Sequence, residues 1–181
     1  MKLTIENPRD VTPWFHLRAL HPHSIDVMRY FCGDIARVQS FMVQAPGRDT
    51  WSTASINFEF RNGAVGHLTG SYDMSMRHPI EFCEVAGNQG RFEIDNIYER
   101  FHYYPHQSDD LLTLRNSVMT GTASFNDTFK NRIEYLIKEI RDDIAPQAIA
   151  ASGADALAVQ EVIEAAIQSQ LRNGAVIDLA Q

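Results

Sequence analysis

Histidines are the side chains of this sequence best placed to move a proton or hold a metal near neutral pH. Three lie close together: His16, His21 and His23, the last two flanking Pro22 in "HPHSIDVMRYFCGD" (21–34). If that stretch is extended, His21 and His23 point the same way, as two ligands of one metal would. No Asp, Glu or Cys follows at a close spacing that would complete such a site, and Pro22 disfavours a regular strand. If instead a helix starts at Ser24, His23 stands beside the N-cap. The positive end of the helix dipole then disfavours imidazolium and keeps the ring neutral, as a general acid/base requires. The bland alternative is a proline-stiffened lead-in to a helix that happens to carry imidazoles.

The remaining candidates also have two readings each. Asp155 in "SGAD" suits a substrate contact, but also a capping box in which Ser152 is the N-cap and Asp155 occupies N3. Arg77 and His78 precede Pro79 in an expected loop and could meet an anion. A two-residue turn at Asn62-Gly63 would place His67 opposite Phe58, on the face of Ile56 and Phe60, as a core or interface histidine. Gly66 and Gly70 would then lie on the opposite face from His67 and mark a close backbone approach there.

These residues must be positioned by an ordered change of sequence period. A short helix is expected over about 24–32, with Gly33 as its stop and Ile25, Met28 and Cys32 in one apolar stripe. Alternating segments follow: "STASINFEF", a partner strand after "RNG", "IEFCEVAGNQGRFEID" with "GNQG" as its turn, "YERFHYYP" and "LLTLR". Two amphipathic helices come next. The first carries Phe129, Ile133, Leu136, Ile137, Ile140 and Ile144 in a stripe. The second carries Val159, Val162, Ile163, Ala166 and Ile167 and ends at Asn173-Gly174. "AVIDL" closes the chain as a last strand. Strands grouped together with helices outside them make an α+β layout, an antiparallel sheet with helices on one face. We expect a single domain over residues 1–181, with 1–20 as a lead-in and 21–179 as the folded body.

Composition narrows the function classes. The chain has 181 residues, 44% of them hydrophobic, and a formal net charge of −7. Lys2, Lys130 and Lys138 are its only lysines. No clustered basic face is visible, which argues against nucleic acid and anionic membrane as partners. Cys32 and Cys83 lie far apart and read as thiols in a reducing compartment. "MKLTIENPRD" lacks the apolar core of a signal peptide, and no apolar run approaches a bilayer span, so a soluble cytoplasmic protein is the expectation. No dinucleotide-binding glycine fingerprint, P-loop or nucleophile-elbow motif occurs.

Four segments in order, "PHSIDVMRYFCGDIARVQSF", "INFEFRNGAVGHLTGSY", "EVAGNQGRFEID" and "ADALAVQEVIEAAIQSQLRNGAVIDL", together resemble one known family. They are similar to the C-terminal domain of the Gfo/Idh/MocA oxidoreductases (glucose–fructose oxidoreductase, inositol dehydrogenase, rhizopine catabolism), from about His21 to Leu179. The resemblance implies a large, mostly antiparallel sheet with helices on one face and an open face that forms a homo-oligomer. It implies a role in binding a sugar or polyol beside a separate Rossmann domain that carries NAD or NADP. That domain is absent from these residues, so no cofactor is expected on this chain, nor catalysis by it in isolation. The family's "H-x-x-D" histidine, which assists proton transfer from the substrate hydroxyl, maps onto His23, with Asp26 as the following acid. Around them His21, Arg77, His78 and Asp155 are the expected substrate-binding residues. The family's acid four residues before the histidine falls at Ala19, a departure that removes its orienting partner. The sequence therefore supports the substrate and oligomerisation domain of an NAD(P)-dependent oxidoreductase. It also leaves open a stand-alone dimerisation or carbohydrate-binding module, and a small metal-dependent hydrolase using His21 and His23.

Overall fold

A computed structural model describes residues 12–73, 81–116 and 125–180. The chain forms two compact units, one made of Met1–Ser75 with Ala151–Gln181 and the other of Met76–Ala150. The α+β class is as the sequence indicates, with every strand pair antiparallel. The strands are divided between two four-stranded sheets.

The first unit begins with helix α1 (Phe15–Cys32) and strands β1 (Ile35–Val43), β2 (Thr53–Phe60) and β3 (Val65–Ser71). The second unit holds β4 (Phe82–Ala86), β5 (Gly90–Asp95), β6 (Arg100–Pro105), β7 (Leu112–Arg115) and helix α2 (Phe125–Arg141). The chain then returns to the first unit with α3 (Gly153–Leu171) and β8 (Ile177–Asp178). The sheet orders are β3-β2-β1-β8 and β4-β5-β6-β7.

In the first unit, α1 and α3 cover one face of the sheet. Val38, Ile56, Phe58 and Phe60 from the strands meet Leu17 and Ile25 of α1 and Val162, Ile163, Ala166 and Ile167 of α3 in a single buried cluster. The two-residue strand β8 pairs only with Arg37 and Val38 of β1. Beyond that point the outer edge of β1 would expose unpaired N–H groups. Side chains of α3 satisfy them: Ser40 N–H donates to Ser169 Oγ at 2.8 Å and Met42 N–H to Gln170 Oε1 at 2.8 Å. Ser40 Oγ in turn donates to the Ala166 carbonyl at 2.6 Å. Ser169 is fully buried. Its replacement by alanine leaves the Ser40 N–H without an acceptor, and is expected to lower stability by about 2 kcal/mol in denaturant titration. An unchanged midpoint would mean that water reaches this edge.

Helix α1 starts nine residues earlier than the sequence indicates and runs through Pro22. Ser24 is therefore interior and not an N-cap. The stop at Gly33 is as expected, with φ of +84°. The β2–β3 hairpin also differs in register. Phe60 N–H donates to the Ala64 carbonyl and Gly63 has φ of +88°, which makes a three-residue loop over 61–63. Asn57 then pairs with His67 and Phe58 with Gly66. A one-residue slip flips every side chain. His67 is thus on the exposed face, where Nδ1 meets Asn57 Oδ1 at 2.9 Å and Nε2 meets Thr69 Oγ1 at 2.7 Å. Gly66 and Gly70 face α1, as close-approach positions: a Cβ on Gly70 would stand 2.0 Å from His21 Cε1.

Candidate functional site

Two helices of the first unit build the site. His23 lies near the middle of α1, exposed, with Asp26 one turn further along on the same side. Because the helix begins at Phe15, no N-terminal dipole acts on His23, and that reason for a neutral ring falls away. Facing them is the first turn of α3. Pro22, His23 and Asp26 on one side and Ser152, Asp155, Val159 and Gln160 on the other line an open cleft of about 240 Å³.

The α3 side is held by a complete capping box. Asp155 N–H donates to Ser152 Oγ at 3.2 Å, while Ser152 N–H and Oγ both donate to Asp155 Oδ2 at 2.8 Å. The hydrogen bonds from the Ser152 hydroxyl and backbone, assisted by the nearby Arg29 charge, hold the Asp155 carboxyl below the usual carboxylate range. Arg29, largely buried, ties the two helices together. One terminal nitrogen donates to the Asp155 carbonyl at 3.2 Å and lies 3.8 Å from its carboxylate. The other donates to Asp34 Oδ1 at 2.7 Å. Asp155 is therefore both the capping residue and a wall of the cleft.

The other expected site residues are not brought here. His21 precedes His23 by two residues, and in a helix that separates them by about 200°. It is only 2% exposed and stacks edge-on to His16 with ring centroids 4.6 Å apart. Neither of its ring nitrogens has a hydrogen-bond partner. Burial first, and the neighbouring His16 second, push its pKa down to about 3. The shared direction that a His21–His23 metal clip needs does not exist in this helix. Among the described residues no group of three His, Cys, Asp or Glu side chains converges as a metal site would. Arg77 and His78 lie outside the described residues. Ser152 and Gln160 line the cleft although sequence reasoning assigned neither to a site. Asp155, Ala156, Val159 and Gln160 share one helical face, a signal that becomes readable only once α3 is known to face α1.

Residues 8–93 match the family profile of the GFO/IDH/MocA C-terminal domain. Over that stretch the chain is similar to the C-terminal domain of the GFO/IDH/MocA family, in agreement with the order of segments in the sequence. Among solved structures, the chain is similar to an oxidoreductase from Agrobacterium radiobacter in complex with NAD+, L-tartaric acid and magnesium. The TM-score is 0.79 at 19% identity, covering 95% of this chain and 52% of that one. It is similar to levoglucosan dehydrogenase in complex with NADH and L-sorbose, with a TM-score of 0.79 at 17% identity, covering 92% and 50%. An oxidoreductase from Sinorhizobium meliloti matches with a TM-score of 0.73 at 18% identity, covering 92% and 54%. At these identities the likeness shows the fold. The chain spans about half the length of these structures. No curated protein sequence matches it.

Two of these structures hold NAD+ or NADH. A dinucleotide is cradled at the turn between a parallel strand and a helix. The described strands pair only antiparallel. The described residues offer no such cradle for NAD(P). Among the described residues no helix is long and apolar enough to cross a membrane.

Proposed function

We propose that this chain is the substrate-side and oligomer-forming part of an NAD(P)-dependent sugar or polyol oxidoreductase, with no turnover of its own. The observation that carries this reading is the placement of His23 and Asp26. The two residues of the "H-x-x-D" segment stand one turn apart on the wall of an open cleft, within reach of solvent and of a small ligand. When a hydroxyl-bearing carbon is oxidised, the hydroxyl proton must leave, and an exposed imidazole is suited to accept it. His23 takes that role, while Asp26, Asp155 and Gln160 offer acceptors and a donor to neighbouring hydroxyls. The dinucleotide is held by residues outside this chain.

The oligomer forms through the uncovered face of the first sheet. Phe41 and Val43 are exposed there among polar neighbours, on the side away from α1 and α3. Cys32 and Cys83, neither of them in a disulfide, suit a reducing cytoplasm. A second reading, a stand-alone carbohydrate-binding or dimerisation module, draws on Ala19. This exposed alanine, one turn before His23, supplies no carboxylate to orient the imidazole.

The size of the native polypeptide in its source cells separates the two readings. The oxidoreductase reading expects a product longer than this chain by roughly 100–150 residues, the size of one further domain, that retains NAD(P) on a dinucleotide column. A native product of 20.5 kDa that self-associates and retains no dinucleotide would establish the module instead.

A further inference from the structure

The cleft between α1 and α3 is one-sided in charge. Among the described residues its ionisable lining groups are His23, Asp26 and Asp155, with no lysine or arginine. Arg29, which reaches Asp155 from α1, is engaged by Asp34 as well. With the Arg29 guanidinium shared between Asp34 and Asp155, the two lining carboxylates, Asp26 and Asp155, leave the described lining with an excess of negative charge. The Asp155 carboxyl is held ionised by hydrogen bonds that the fold itself supplies. A negative ligand group would have to enter beside these carboxylates, against a repulsion that is strongest at low salt.

From this geometry, and resting on the sugar-side role proposed above, we infer that the cleft selects polyols by charge. It takes neutral or amino-bearing polyols and rejects sugar acids. The hydroxyl pattern alone would not separate these classes, because the hydroxyls they share present the same donors and acceptors. Discrimination comes from Asp26 and Asp155, which act as acceptors for hydroxyl or ammonium groups and repel carboxylate or phosphate.

Three six-carbon open-chain polyols test this with nearly constant shape: N-methylglucamine (cationic), sorbitol (neutral) and gluconate (anionic). The 181-residue chain is titrated with each at pH 8 and low salt, following the backbone amide NMR signals of His23, Asp26 and Gln160. The expected order of affinity is N-methylglucamine at least equal to sorbitol, and gluconate at least about tenfold weaker than sorbitol. The gap should narrow as salt is added. Asp26→Asn is expected to raise gluconate affinity towards that of sorbitol. Asp155→Asn serves as a second variant that retains a side-chain oxygen for the cap. Gluconate binding as tightly as sorbitol would overturn the charge selection and leave the sugar-side role standing. If none of the three polyols shifts these signals, the sugar-side role falls together with the inference.

Discussion

On the role proposed above, replacing His23 by alanine in the proposed NAD(P)-dependent oxidoreductase is expected to lower kcat by roughly 10²–10⁴, with KM changed only a few-fold. The size follows from the role. A group that removes the hydroxyl proton acts mainly in the transition state, so its loss appears in kcat more than in ground-state binding. Stability should change little, because His23 is exposed and α1 tolerates alanine at such a position. A proton-accepting His23 gives the kcat/KM profile an acid limb, and that limb should vanish in the variant. A second change sharpens the test. Ala19 lies one turn before His23 on the same exposed side. Ala19→Asp puts a carboxylate within reach of the ring, which favours imidazolium and moves that limb to higher pH. Unaltered turnover in His23→Ala would remove His23 from the chemistry, whatever the fate of the cleft.

Much of this arrangement was legible in the sequence, and the failures have identifiable physical causes. The α+β class, the α3 cap at Ser152 and Asp155, the "GNQG" turn and the closing strand all follow from local chemistry, and all are present. The first turns of α1 were not recognised, because its buried stripe passes through His16 and His21, which read as polar. With His21 counted as a core residue, Leu17, His21, Ile25, Met28 and Cys32 form one continuous helical face. Pro22, a usual helix breaker, obscured the same pattern. Strand β1 was hidden in another way. A bulge between Ile35 and Arg37 turns both Ile35 and Val38 inward, and Ser40 is a buried polar residue satisfied by α3. The period of two is broken at both places. His67 was misplaced because Asn-Gly suits a two-residue loop as well as the three-residue loop with a glycine at positive φ, and only the second puts Phe60 opposite Ala64. The α2 stripe does belong to a helix. Phe129, Ile133, Ile137 and Ile140 are nonetheless exposed, and Glu139 is the buried residue, accepting from the Ala150 N–H at 2.9 Å. The cleft needed tertiary knowledge, since its two walls lie about 130 residues apart in the chain.

The buried histidine that hid the helix gives the second large effect, and it is one of pH. His21 has a pKa of about 3 in the folded chain, against 6.5 for an exposed imidazole. Between those values the unfolded chain binds a proton that the folded chain refuses, so stability rises with pH across this window and is lost as pH falls through it. The neutral-ring advantage is complete above about pH 6.5. It declines by ~1.4 kcal/mol per unit below that, roughly 2 kcal/mol by pH 5 and up to ~5 kcal/mol near pH 3. The groups around the ring offer no compensation: His16 and Tyr72 pack on one another, and Gly70 presents bare backbone. Asp73 also titrates in acid. Burial opposes its ionisation, but hydrogen bonds from Ser52, Arg48 and Thr53 and the Arg48 charge hold its carboxyl low. Its contribution is common to wild type and variant and cancels in the comparison. His21→Met keeps an apolar side chain of similar volume against Gly70 and removes both unpaired nitrogens. The stability difference between variant and wild type should therefore grow by about 2 kcal/mol in favour of methionine from pH 7 to pH 5, measured by urea titration at each pH. Parallel stability curves would mean that His21 finds a proton-stabilising partner in acid. The ring would then have to leave its place over Gly70, and the packing of α1 on β3 would loosen with it.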